Sequence, residues 1–202
     1  KWDYDHWAEL GNKGWGYDDV LPVFKRSEHY EAGESTYHGT GGKLNIADLR
    51  FTHPVSRAFV KAGVQAGHPA TDDFNNEVQE GMGMYKVNQK DGERCGVAYL
   101  HPVMDRPNLT IMTNALVNRI LFDGKRAIGV EVEHDGQIRT LKADNEVVLS
   151  GGAINSPQVL KLSGVGPAAE LAEHNIPLVH DLPGVGENLQ DHPDALVVHK
   201  SL

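Results

Sequence analysis

The residues best suited to chemistry lie together in one run, Gly152-Ala153-Ile154-Asn155-Ser156-Pro157-Gln158-Val159-Leu160-Lys161-Leu162-Ser163-Gly164-Val165-Gly166. An apolar stretch, Glu146-Val147-Val148-Leu149-Ser150, precedes it and predicts a buried strand. Gly151 and Gly152 predict a turn, and Ser156-Pro157 predicts an N-cap followed by proline at the first helical position. Val159, Leu160 and Leu162 give that helix apolar contacts, and Gly164 predicts a left-handed stop. A strand, a glycine turn and a helix start that converge would offer free N–H groups and the positive end of a helix dipole. That chemistry suits an anion, phosphate above all. Glycine also lets a strand and a helix pack closely for purely structural reasons, and from this run alone both readings stand.

Other candidates are weaker. Gly164-Val165-Gly166-Pro167-Ala168-Ala169 fits Gly-x-Gly-x-x-Ala, but it follows a helix rather than a strand, and Pro167 removes an N–H that a phosphate would want. A structural turn between helices is the expectation there, and likewise at Gly184-Val185-Gly186. None of the eleven histidines has His-Glu-x-x-His spacing, and a lone cysteine cannot complete a Cys/His zinc set, so no metal site is expected. His101, His192 and His199 read as satisfied or exposed side chains. His192, beside Asp191, is the most tempting base and is expected to be structural or supporting. Cys95 reads as incidental in a polar loop next to Arg94.

The elements that must position these residues differ between the two halves of the chain. The first thirty residues predict a Trp/Tyr-rich loop entering a short helix, capped by Asp18 or Asp19 and packed through Leu21, Phe24 and Tyr30. Residues 31–50, rich in Gly, Ser, Thr and His with little periodicity, read as a loop ending in a short strand at Lys43–Ile46. Pro54–Gly67 predicts a helix whose Val55, Phe59, Ala62 and Ala66 share a face. Asp72–Gly83 reads as an exposed loop, and Gly96–Met104 as a second short helix. Beyond Asn108, four β-rich runs (Leu109–Thr113, Leu116–Phe122, Ala127–His134 and Gln137–Leu141) predict an antiparallel meander that feeds the Val147–Leu149 strand. Asp123-Gly124 and Asp135-Gly136 supply hairpin turns. Pro167–Asn175 predicts a helix with Leu171 on its apolar face, Ile176–Leu182 an extended run, and Ala195–Val198 a strand.

At 202 residues the chain is long enough for one large or two small domains with a real core. A net charge of −9 disfavours nucleic acid and anionic lipid as partners. No apolar run approaches the roughly 18–20 residues that span a bilayer. One cysteine excludes an internal disulfide and fits a reducing compartment.

The spacing within 152–166 resembles the second signature of the glucose–methanol–choline oxidoreductases, flavin enzymes that oxidise alcohols. The likeness extends along nearly the whole chain. Tyr4-Asp5-His6-Trp7-Ala8, Gly14-Trp15-Gly16-Tyr17 and Val20-Leu21-Pro22-Val23-Phe24 are similar to an early segment of that family. Ala98-Tyr99-Leu100-His101-Pro102 and Arg106-Pro107-Asn108-Leu109-Thr110 are similar to its central segment. Pro183-Gly184-Val185-Gly186-Glu187-Asn188-Leu189-Gln190-Asp191-His192-Pro193 resembles a further one. The pattern is nearest to the choline dehydrogenase-like and other bacterial alcohol dehydrogenase branches.

The resemblance implies an α/β fold of mixed α+β type: part of an FAD-binding fold, with an antiparallel β-meander and parts of the substrate-side region. Residues 1–105 would be a helical and loop region covering the flavin and facing substrate. Residues 106–170 would belong to the FAD domain, and 171–202 would cross into the substrate domain. Gly151, Gly152, Ala153 and Ser156 would lie against FAD, and the backbone of Val117 would meet the adenine. The implied chemistry is hydride transfer to flavin from a choline-like or other primary alcohol, with electrons passed on to an acceptor. The family's Gly-x-Gly-x-x-Gly is not found near Lys1, and its catalytic His lies farther along a longer enzyme. The expectation is therefore an internal piece, inactive alone, with no catalytic residue of its own and prone to self-association. A bacterial origin is implied, with the whole protein cytoplasmic or membrane-associated. The competing readings are a nicotinamide-dependent dehydrogenase and a non-enzymatic interaction domain that reuses part of the fold.

Overall fold

A computed structural model describes residues 1–90, 93–196 and 198, and the chain divides into two compact units, 1–110 and 111–202. In the first unit, α1 (Trp2–Glu9) and α2 (Tyr17–Ser27) lead into β1 (Glu28–Tyr30). Gly16 is the N-cap residue of α2, and its N–H donates to the Asp19 carboxylate (3.2 Å), so Asp19 serves the helix end from its third position instead of capping it. The expected opening loop is helix α1, held by ring contacts: Tyr4 packs edge-on to Trp7 and Phe24, and Trp7 to Trp15. Sequence periodicity missed it because its apolar residues are aromatic and mostly exposed. Of the three residues expected to pack, Tyr30 is buried, Leu21 half-buried and Phe24 exposed.

β1 pairs in parallel with β2 (Leu44–Ile46) across the 31–43 crossover. α3 (Pro54–Gln65) matches the expected helix, with His53 Nδ1 accepting the Val55 N–H (3.2 Å). Its expected apolar face is open, however: Val55 is 67% and Phe59 56% exposed. β3 (Gln89–Lys90) pairs antiparallel with β4 (Glu93–Arg94), ahead of α4 (Cys95–Leu100) and a 3₁₀ turn at His101–Val103. Cys95 therefore opens a helix rather than sitting in a loop.

The second unit opens with a three-stranded antiparallel meander, β5 (Ala115–Asp123), β6 (Arg126–His134) and β7 (Gln137–Lys142). The Asp135-Gly136 loop has φ of 53° and 70°, the two positive values that a type I′ hairpin requires. The expected strand at 109–113 does not form, so the meander has three strands instead of four. The run 146–150 also lies outside any ladder, and Val148 is 75% exposed. Among the described residues no strand lies beside it, and a parallel-type strand without neighbours has no donors or acceptors to pair with. Residues 195, 196 and 198 are not in a strand either, and Val197 and His199 lie outside the described residues.

α5 (Gly152–Leu162) is followed by β8 (Val165–Gly166), α6 (Ala168–Glu173) and β9 (His180–Asp181), with β8 and β9 parallel. Leu171 of α6, 1% exposed, is the best-buried large side chain among the described residues, as its position on the expected apolar face implied. The core is small: among the described residues, the buried apolar side chains are Tyr30, Ala47, Ile120, Val132, Val165, Leu171 and Val185.

Candidate functional site

The second unit brings the sequence-predicted residues onto α5 and β5. α5 begins at Gly152, four residues before the expected N-cap, with Gly151 as the N-cap residue. Ser156 and Pro157 are therefore inside the helix. Ser156 Oγ instead reaches back and accepts the Gly151 N–H at 3.0 Å. The N–H groups of Gly152, Ala153 and Ile154 occupy the first turn, with no preceding turn to accept them. Gly151, Gly152 and Ala153 are exposed. Gly152 has φ +83°, and a Cβ built on it meets no atom within 4 Å, so this stretch of backbone is open to a ligand.

The far end of α5 is fixed to the meander. Gly164 closes the helix at φ +84°, as expected, and a Cβ there would collide with the Pro177 carbonyl oxygen. Buried Ser163 donates its hydroxyl to the Val159 carbonyl and accepts the Ile120 N–H at 2.8 Å, which anchors α5 against β5. Val117 lies three residues before Ile120 on the same strand, half-buried, next to a register shift between Val117 and Arg119. Among the described residues β5 is an edge strand, with β6 on one side only, so part of its backbone faces away from the sheet. Along α5 runs a mainly apolar cavity of about 580 Å³, lined by Ile154, Pro157, Lys161, Leu162, Ile176 and Gly186 among others. Lys161 Nζ sits 2.7 Å from both oxygens of Glu170.

The Gly164–Ala169 stretch is structural. Ser163 to Gly166 are buried, and the Asp181 carboxylate already accepts the Ala168 N–H (3.0 Å) at the start of α6. A carboxylate in that position leaves no room for a phosphate. Residues 183–186 form the expected turn. His192 is exposed, and the Asp191 carboxylate accepts its backbone N–H (2.8 Å) rather than a ring N–H.

Sequence reasoning missed a charged cluster in the first unit. His38, 4% exposed, has Nδ1 3.0 Å from Glu28 Oε1 and Nε2 2.7 Å from Asp73 Oδ2. No local spacing signals it, because its members stand 10 and 35 residues apart. Nearby, the two N–H arms of Arg50 clasp Glu31 (2.7 and 2.8 Å), and Asn45 donates to the same carboxylate. Those bonds, Arg50 first, hold Glu31 down at about 2 from an ordinary 4.5. Desolvation alone would lower Lys86, but its hydrogen bonds to Asp48 and Tyr30 outweigh it and raise the ammonium above 10.5.

The family model for GMC oxidoreductases matches residues 1–194. The chain belongs to the GMC oxidoreductase family. It is 46% identical over 197 residues to an oxygen-dependent choline dehydrogenase of Brucella anthropi, covering 96% of this chain and 36% of that protein. An alcohol dehydrogenase [acceptor] of Pseudomonas putida is 47% identical over 197 residues, covering 95% of the chain and 36% of its own length. An FAD-dependent oxidoreductase from Chaetomium thermophilum has a similar structure, with a TM-score of 0.85 at 32% identity over 94% of this chain and 36% of that one. This member of the GMC family thus spans about a third of the length of the curated relatives it matches.

Proposed function

We propose that this chain supplies part of an FAD-dependent oxidoreductase that oxidises the CH–OH group of a small alcohol, choline-like or another primary alcohol. The open N-terminus of α5 carries the reading. Gly152 leaves its backbone accessible, Ser156 takes up the Gly151 N–H, and the N–H groups of Gly152, Ala153 and Ile154 have no preceding turn to accept them. These residues suit a negatively charged cofactor brought close to bare backbone. Gly151, Gly152, Ala153 and Ser156 would hold FAD there, and the unpaired edge of β5 at Val117 would meet its adenine through backbone groups that need no particular side chain. Bound flavin supplies the acceptor for a hydride from the alcohol carbon. The chain's own contribution is to seat and orient the cofactor. Residues 1–105 would form the flavin-covering and substrate-side region, 106–170 part of the FAD domain, and 171–202 the crossing toward the substrate domain.

The names of the relatives support this reading, as does the family match along 194 residues. The nicotinamide alternative is disfavoured by the buried Ser163–Gly166 stretch and the Asp181 carboxylate at α6. Self-association of the 202-residue chain would follow from the unpaired run 146–150 and from exposed Val148 and Ile154 (75% and 72%).

The test is the visible absorption spectrum of the full-length gene product. Flavin bands that bleach on adding choline or another primary alcohol are expected. A product that stays colourless after reconstitution with FAD sinks the proposal.

A further inference from the structure

The cluster around His38 is not used by the flavin reading, and its geometry is that of a fastening. Both ring nitrogens lie within hydrogen-bond distance of carboxylate oxygens, so the ring is tied to Glu28 on one side and to Asp73 on the other. The ring is held independently on its other contacts. It stacks on buried Tyr30 with centroids 4.0 Å apart, and Glu28 uses its second oxygen to accept the Gly39 N–H (2.9 Å). Glu28, Tyr30 and His38 therefore form a fixed post that does not depend on Asp73. Lys86 Nζ, 5.8 Å from the Tyr30 ring and 2.6 Å from Asp48, adds positive charge nearby.

Asp73 belongs to a different kind of segment. Its base is closed by a backbone ladder, Thr71 N–H to the Met82 carbonyl (3.0 Å) and Met82 N–H to the Pro69 carbonyl (2.8 Å). Between those ends, residues 75–80 are exposed throughout. Their hydrogen bonds among the described residues are local, Asn75 N–H to Asp73 Oδ1 and Val78 N–H to Asn76 Oδ1. Yet the same six residues form one wall of a cavity of about 910 Å³, with Tyr4, Tyr17, Phe24, Leu44 and Ile46 also lining it and His38 in its surface. A segment whose described hydrogen bonds are all local is placed there through Asp73 and the Phe74 ring, which packs on Tyr85 at 5.5 Å between centroids.

We propose that the His38–Asp73 pair is the latch of a strap. Residues 74–80 close the cavity while the pair holds, and they swing out about the Thr71–Met82 base when it breaks. His38 stays on its post with Glu28 and Tyr30. Opening then costs the His38–Asp73 hydrogen bond and disturbs the Phe74–Tyr85 ring contact (5.5 Å), few interactions for a segment of this length, which marks the strap as the low-stability end of this unit.

The experiment reads access to the cavity. Leu44→Cys, in a Cys95→Ala background of the 202-residue chain, places a thiol on the lining, and its reaction rate with a maleimide is measured. Asp73→Asn should speed labelling by about fivefold or more, because the open fraction rises as the latch weakens. Asp73→Glu keeps a carboxylate within reach of the ring and should return most of the protection. A second thiol, Ala47→Cys, sits at a position that is 2% exposed and off the cavity lining, and it reports general loosening. Labelling of Leu44→Cys at the same rate with and without Asp73→Asn overturns the latch. So does an acceleration that Asp73→Glu fails to reverse, or one that appears equally at Ala47→Cys.

Discussion

Gly152 and Gly164 share almost the same backbone angle, +83° and +84°, at opposite ends of α5. Their surroundings differ completely, and this turns one substitution into a controlled pair. Alanine at either site meets the left-handed penalty of about 1–2 kcal/mol. Removing glycine also stiffens the unfolded chain, which returns about 0.4–1 kcal/mol. At Gly152 nothing lies within 4 Å of the new methyl, so Gly152→Ala should cost only about 1 kcal/mol net. At Gly164 the methyl runs into the Pro177 carbonyl oxygen and lies 3.0 Å from Val179 Cγ2, so the backbone must move. Overpacking of that kind adds about 1–3 kcal/mol, giving roughly 2–4 kcal/mol for Gly164→Ala. Urea unfolding of the two variants reads the difference as midpoints that separate at a common slope. In the full-length protein the order reverses. Gly152→Ala puts a methyl where the cofactor is proposed to approach and should weaken FAD retention about tenfold, a loss of about 1.4 kcal/mol. Gly164→Ala, kept folded at low temperature, should retain flavin. Equal destabilisation by the two variants refutes the steric argument, and undiminished flavin in Gly152→Ala refutes the placement of the cofactor.

Other expectations follow from single contacts. Ser163→Ala leaves the buried Ile120 N–H without its 2.8 Å acceptor and should cost about 1–3 kcal/mol in chemical unfolding. Leu171→Ala opens the tightest part of the second unit and should cost about 2–5 kcal/mol by the same assay. Glu31, held at about 2 against 4.5, stabilises the fold fully above its ordinary value and loses that contribution as pH falls from 4.5 toward 2. The gap between wild type and Glu31→Gln should therefore narrow in acid, and a gap independent of pH contradicts the role of Arg50. Size-exclusion chromatography with light scattering should show self-association of the 202-residue chain that grows with concentration. A clean monomer at every concentration counts against it.

The parts of the fold that were legible in the sequence were those fixed by neighbours in the chain. Asp135-Gly136 announces its hairpin because both positions need positive φ, and Gly164 announces the end of α5 for the same reason. Leu171 was placed correctly on a buried helix face. Ser156-Pro157 misled because a serine before proline is the usual start of a helix, whereas here the two glycines upstream already turn the chain and the serine serves Gly151 from within. The runs at 109–113 and 146–150 have strand composition but no neighbours among the described residues, and composition cannot supply a partner. The β1–β2 pairing and the Glu28–His38–Asp73 cluster were invisible because their members are distant in sequence and meet only in the folded chain. Of the candidate site, the glycine turn was readable, while the anchor that holds its helix, Ser163 on Ile120, was not.

The thinness of the core also sets how this chain should melt. Among the described residues, Tyr30 and Ala47 are the buried apolar side chains of the first unit, and Ile120, Val132, Val165, Leu171 and Val185 those of the second. Heat-capacity change and denaturant slope both scale with the area uncovered. Both should fall short of the values expected for 202 residues, giving a broad, shallow transition in which the protein surrenders its structure gradually.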